Sequence, residues 1–189
     1  MVTVPEPLAD EVRDFAASIP TRYVKNDAEG GSGTNGEVHA TVKYGLLTED
    51  PDDVEKVVEG VEPFLVTLGD MGVFENKNEG TVVLKLAVES PGLMALNKRV
   101  CKMLRHVDTY VDYKPHVTIA YLVWDDNDPR YYKEFFDKTF AGKQFVVDHV
   151  KFSTVGGMKY WLPLNGKVAK LARQMAIGNR VASSYRGAR

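Results

Sequence analysis

The chain has 189 residues, 44% of them hydrophobic and 26% charged, with a formal charge of -2 and a single cysteine. That length and balance suit one globular domain, or two small lobes sharing an interface, and exclude a fibrous or wholly disordered body. The near-neutral charge gives no overall attraction to duplex DNA, Cys101 alone can form neither an internal disulfide nor a zinc site, and no apolar run is long enough to span a membrane.

The first residues, MVTVPEPLADEVRDF, carry prolines and acids where a signal peptide needs a basic start and an apolar run, so we expect a cytoplasmic protein. Leu8, Val12, Phe15 and Ile19 follow Pro7 at helical spacing and predict an amphipathic helix. The stretch NDAEGGSGTNGE, residues 26–37, is too polar and Gly-rich for regular structure. It reads as a loop long enough to act as a lid, or more plainly as a surface connection.

An order of elements then appears twice. A strand at 37–44 leads to a helix near 51–62, strands near 64–75 and 80–89, and a helix over 91–106 with an apolar stripe of Leu93, Leu96, Val100, Met103 and Leu104. A strand at 115–122 leads to a helix near 128–138 and strands near 144–154 and 158–164. The expected fold is α/β or α+β, with two pseudo-symmetric sheet lobes, helices outside and a central cleft between the lobes. The lobes form one bilobal domain over 1–165. Residues 166–189 follow as a basic helix or tail with six Lys or Arg and no acidic residue.

Each half opens on the same short pattern, His39-Ala-Thr41-Val in the first and His116-Val-Thr118-Ile in the second. Residues two apart in a strand share a face, so each histidine sides with its threonine while the intervening apolar residues face the helices. Two imidazoles flanking one phosphodiester can serve as base and acid near neutrality, and threonine hydroxyls can hold the non-bridging oxygens. No metal or cofactor is needed for that chemistry.

HATV and HVTI, in two similar halves, resemble the paired His-x-Thr-x motifs of the 2H phosphoesterase superfamily, which includes cyclic phosphodiesterases and bacterial 2'-5' RNA ligase-like proteins. The resemblance spans residues 37–164. It implies a bilobal fold and metal-independent chemistry on 2',3'-cyclic phosphates or on 2'-5' or 3'-5' phosphodiester bonds, with His39, Thr41, His116 and Thr118 at the matching positions. The run HATVKYGL is also similar to the corresponding strand of phage anti-CBASS phosphodiesterases, which destroy cyclic oligonucleotide signals of bacterial immunity. This chain is longer than that branch leads one to expect and carries an extra basic tail.

The same alternation directs Lys85, Lys159 and Trp161 toward the cleft, where Trp161 could stack a nucleobase and Lys43, Lys85 or Lys159 could meet phosphate. Tyr23 is a candidate lid contact. Tyr44 and Tyr121 have the opposite parity and are assigned to packing. His106 is expected at a helix C-terminus, where a cation is favoured, and His149 is unassigned. The expected partner is a nucleotide: a cyclic nucleotide, a cyclic oligonucleotide or an RNA end. The alternatives are a module that binds such a ligand without cleaving it and, ranked last, a metal hydrolase, for which no single element offers ligand spacing.

Overall fold

The computed structural model describes residues 1–25, 37–76, 79–107, 112–124 and 133–164. Residues 26–36 of the expected Gly-rich loop and the expected basic tail lie outside the described residues. The strands are β1 (Val2–Thr3), β2 (His39–Ala40), β3 (Phe64–Asn76), β4 (Thr81–Glu89), β5 (His116–Val123), β6 (Gln144–Val147), β7 (His149–Ser153) and β8 (Lys159–Pro163). The helices are α1 (Leu8–Ser18), α2 (Pro51–Val58) and α3 (Pro91–Met103), with 3-10 turns at Thr21–Tyr23 and Lys133–Phe135.

Six strands form an antiparallel sheet in the order β1-β2-β5-β4-β3-β6, and β7 pairs with β8. The hairpin continues that sheet: Met1 N donates to Lys151 O at 2.8 Å, and Lys151 N donates to Met1 O at 2.9 Å. One lobe is therefore built on β3, β4, β5 and β6 and the other on β1, β2, β7 and β8, joined where β2 pairs with β5. This is the expected two-lobed α/β architecture. The motif strands, however, are hydrogen-bonded neighbours rather than members of two separate sheets that face each other.

One face of the sheet is apolar and covered by helices. Val82, Leu84, Leu86 and Val88 of β4 and Val117 and Ile119 of β5 are buried together with Val12 and Ala16 of α1, Val54 and Val57 of α2, and Leu93 and Leu96 of α3. Burying a side chain of this size contributes about 1.5–3 kcal/mol, so this alternation fixes which face must be open to solvent. Capping residues set the helix starts. Asp50 accepts from Asp52 N at 2.9 Å ahead of Pro51, and Ser90 Oγ accepts from Leu93 N at 3.2 Å while donating to Leu65 O at 2.7 Å. Gly92 is required where α3 crosses β3, because a Cβ there would lie 2.3 Å from the Phe64 ring.

Several boundaries differ from expectation for identifiable reasons. β2 is only two residues long because the chain leaves the ladder after Ala40. The carbonyls of Thr41 and Val42 are taken instead by Tyr113 Oη at 2.9 Å and by buried Asn97 Nδ2 at 2.7 Å. Burial pushes the Tyr113 phenol above its ordinary range, so it stays a donor. The expected strand over 144–154 breaks at Asp148 into β6, at the edge of the first lobe, and β7, in the second lobe. Of the helix expected over 128–138, residues 128–132 lie outside the described residues and Lys133–Phe135 make a 3-10 turn. Asp137 then accepts from Thr139 N at 2.5 Å, a local bond that competes with helix continuation.

α3 stops at Met103, so His106 does not sit at a helix terminus as expected. It forms an isolated bridge with Leu46, and its Nδ1 meets Leu104 O at 2.9 Å. The two-residue β1 was not expected at all. Among the described residues no helix is long and apolar enough to cross a membrane.

Asn97 is a checkable element of this arrangement. Replacing it with Ala orphans the Val42 carbonyl, and stability should fall by about 1–3 kcal/mol. Urea unfolding should show an earlier midpoint with an unchanged slope, and an unshifted midpoint contradicts the role.

Candidate active site

The register of four strands assembles the site. Ala40 pairs with Val117, which in an antiparallel pair sets His39 opposite Thr118 and carries Thr41 toward His116. Thr3 pairs with His39, Lys85 with Thr118, and Gly72 with Lys85. Cross-strand partners share a face, so His149, Thr3, His39, Thr118, Lys85 and Gly72 form one row across the open face. Lys151, Met1, Thr41, His116 and Ala87 form the next row. His39 and His116 are diagonal neighbours in this lattice, a separation of about 7–8 Å along adjacent strands.

Both imidazoles are held in the same way. His39 Nδ1 lies 2.6 Å from Glu37 O, and His116 Nδ1 lies 2.8 Å from Lys114 O. A carbonyl can only accept, so Nδ1 carries the proton in each ring and Nε2 is the nitrogen left for a ligand. That nitrogen accepts a proton from a neutral ring and donates one from a charged ring.

The surroundings of the two rings differ. His116 packs edge-on against Phe74, with ring centroids 4.9 Å apart, and Lys85 Nζ sits 4.6 Å from the same phenyl centroid. Burial pushes the His116 ring below its ordinary value, the Lys85 and His39 charges push it further, and the bond to the Lys114 carbonyl opposes them. Burial, with the Lys114 charge, also lowers Lys85. Gly72 leaves room beside that ammonium, since a Cβ there would be 3.6 Å from Nζ.

The sequence candidates are distributed as follows. His39, Thr41, His116, Thr118 and Lys85 come together on the open face. Trp161 is 53% exposed on β8, opposite Lys151, and shares that face through His149 and Thr3. Lys159 is exposed two residues before Trp161 on the outermost strand. Tyr23 lies at the other end, beside the Val24–Leu122 bridge and edge-on to Phe135 at 5.3 Å. Lys43 lies past the end of the ladder and borders a cavity lined also by Met1, Leu46, Val54, Leu96, Lys151 and Phe152.

Tyr44 and Tyr121 are 72% and 41% exposed, which corrects their assignment to packing. For Tyr121 the cause is a bulge at Ile119: Leu84 pairs with Ala120 but Lys85 pairs with Thr118, so parity flips along β5 and Tyr121 joins the open face. Tyr44 lies beyond the end of β2, where strand parity no longer applies. Phe74, Thr3, Glu37 and Lys151 escaped sequence reasoning because their positions depend on strand pairing. Among the described residues no group of three His, Cys, Asp or Glu side chains gathers to hold a metal ion.

The family model described as the 2'-5' RNA ligase superfamily matches residues 4–157. The solved structure of Kluyveromyces marxianus Usb1 resembles the chain with a TM-score of 0.57 at 15% identity, covering 87% of this chain and 95% of that one. The structure of the same protein with uridine monophosphate resembles it with a TM-score of 0.54 at 16% identity, covering 87% and 96%. A search of curated protein sequences gave no match. The structural likeness establishes the fold, a two-lobed 2H phosphoesterase-like architecture.

The environment of His116 makes a measurable statement. Its ring should titrate below the ordinary imidazole value of 6.5, and Lys85→Met, which removes one facing cation, should move it upward. NMR titration of the imidazole signals reads both. A wild-type value above 6.5, or a downward move in the variant, contradicts the account.

Proposed function

The chain belongs to the 2'-5' RNA ligase superfamily, and we propose that it is a metal-independent nucleotide phosphodiesterase using His39 and His116 as an acid and base pair. The observation that carries this reading is the shared tether: both rings give Nδ1–H to the carbonyl two residues back and keep Nε2 for substrate.

His116, whose environment disfavours the charged ring, is the base. Its Nε2 removes the proton from the attacking oxygen, a water or a neighbouring ribose hydroxyl. That oxygen bonds to phosphorus while the opposite P–O bond breaks. His39 Nε2–H protonates the departing oxygen. Thr41 and Thr118 donate hydroxyl hydrogens to the non-bridging oxygens, and Lys85 offsets the charge that grows on them.

The substrate class is a nucleotide phosphodiester: a 2',3'-cyclic phosphate, a cyclic nucleotide or a cyclic oligonucleotide. The similar structure solved with uridine monophosphate supports a nucleotide ligand. Within that class we favour a cyclic oligonucleotide, such as a bacterial anti-phage signal, on the likeness of HATVKYGL noted above. Lys159, exposed on β8, and Tyr23, beside the Val24–Leu122 bridge, are the contacts we propose for the extended parts of such a ligand.

A panel of 2',3'-cyclic nucleotides, cyclic di- and trinucleotides and 2'-5' linked oligonucleotides, incubated with EDTA, tests the reading. Turnover should survive chelation, and His39→Ala or His116→Ala should each lower it by about two to four orders of magnitude. Equal turnover by the double variant would falsify the acid and base roles.

The pH profile of kcat/KM should be bell-shaped. The base must be neutral to act, and the folded protein lowers the His116 value, so the acidic limb should fall below that of an ordinary imidazole. Lys85→Met should shift that limb to higher pH. A profile flat between about pH 5 and 9 argues against the pairing.

A further inference from the structure

A second polar assembly occupies the open face on β1, β7 and β8. Asp148 Oδ1 lies 2.6 Å from His149 Nδ1, and Nε2 of the same ring lies 3.1 Å from Thr3 Oγ1. In the tautomer that commits Nδ1–H to the carboxylate, Nε2 accepts the Thr3 hydroxyl proton. Thr3 Oγ1 then presents only lone pairs to an incoming ligand. Thr3 is the cross-strand partner of His39. An acceptor therefore stands directly beside a cluster whose other hydroxyls are free to donate.

Phosphate oxygens accept and do not donate, so such an acceptor does not suit the phosphate itself. It suits an O–H one sugar away.

The same ring also braces an aromatic surface. His149 and Trp161 have centroids 4.7 Å apart, and Lys151 Nζ lies 4.9 Å from the Trp161 centroid. Lys151 is buried, at 5% exposure, and its charge is paired with the Glu37 carboxylate. One part of the indole thus rests on a fixed cation and a fixed imidazole, while about half of its surface, 53%, remains open. A flat π surface held in this way stacks a base of any sequence.

We propose that Thr3, His149 and Trp161 form a ribonucleoside subsite on the His39 side of the scissile phosphate, with the base on Trp161 and a ribose hydroxyl donating to Thr3. The subsite rests on the phosphodiesterase reading for its orientation. Asp148 and the Glu37–Lys151 pair act through it as positioning residues. The consequence is discrimination by sugar: a ribonucleotide should bind in preference to its deoxy analogue.

Calorimetric titration tests this with products, which bind without turnover. The probes are adenosine 3'-monophosphate and its 2'-deoxy form, adenosine 5'-monophosphate and its 2'-deoxy and 3'-deoxy forms, and inorganic phosphate. At least one ribonucleotide should bind wild type about tenfold tighter than its deoxy analogue, the effect of one hydrogen bond. Thr3→Val, which keeps shape and strand preference, should bring that ratio close to one. Trp161→Ala should weaken ribo and deoxy forms alike by about tenfold or more, while phosphate binding stays unchanged in both variants.

Circular dichroism melts identify any variant that has lost its fold, and Thr3→Ser, which restores the hydroxyl, should restore the ratio. Ratios near one for every deoxy analogue in wild type, or a ratio that survives Thr3→Val, overturn the subsite. Cleavage of the substrate panel with no sugar discrimination overturns the subsite and leaves the enzyme. Sugar discrimination with no cleavage of any panel member leaves the subsite and overturns the enzyme.

Discussion

The pairing of Ala40 with Val117 is the contact on which the rest of the site depends. It is the register by which β2 joins β5, and it sets His39 beside Thr118 and Thr41 toward His116. Side chains alternate with period two, so a slip of one residue between β2 and β5 would turn a histidine into the core and a valine out to solvent. Burial protects against that slip, because Ala40 and Val117 are completely enclosed between the sheet and its helices. The packing that stabilises the lobes also specifies the geometry of the open face. β2 needs no more than two residues in the ladder because Asn97 and Tyr113 hold the backbone that follows.

The two halves repeat the same tether and then diverge in charge. Lys114, whose carbonyl anchors His116, and Lys85 bring two cations to that side; burial and the Lys114 charge lower Lys85, and burial with the Lys85 charge lowers His116. Glu37, which anchors His39, carries a carboxylate instead. A duplicated fold supplies two equivalently tethered imidazoles; the burial of His116 against Phe74 and the nearby Lys85 charge set that ring apart. A symmetric pair cannot favour one direction of proton transfer, whereas a pair in which one ring is disfavoured as a cation gives that ring the role of base.

This division also explains what could be read before strands were paired. The two motifs were legible because each holds its meaning within three residues, and β3 and β4 were legible because Val82, Leu84, Leu86 and Val88 alternate without interruption. The bulge at Ile119 was not legible: in the run Val117, Ile119, Ala120 and Leu122 nothing marks the extra residue, and only the partner strand reveals it. β1 was missed because Val2 and Thr3 are too few to show a period, and their role comes from neighbours at positions 39–40 and 149. The strand expected over 144–154 keeps β-forming apolar residues on both sides of Asp148, but its two parts answer to different partners, which local pattern cannot express.

Glu37 shows how the lobes are joined chemically as well as sterically. A lysine as enclosed as Lys151 is tolerable only with its charge answered, since an unpaired buried cation costs several kcal/mol. The Glu37 carboxylate supplies that answer from the residue whose carbonyl receives the His39 ring proton. The need to neutralise Lys151 beneath Trp161 therefore fixes the position of the backbone that sets the His39 tautomer. Two requirements, stability of the β7–β8 hairpin and orientation of one imidazole, converge on a single residue. The aromatic surface and the reacting nitrogen are consequently held in a common frame, and a nucleotide that spans both meets them at a separation set by folding before it arrives.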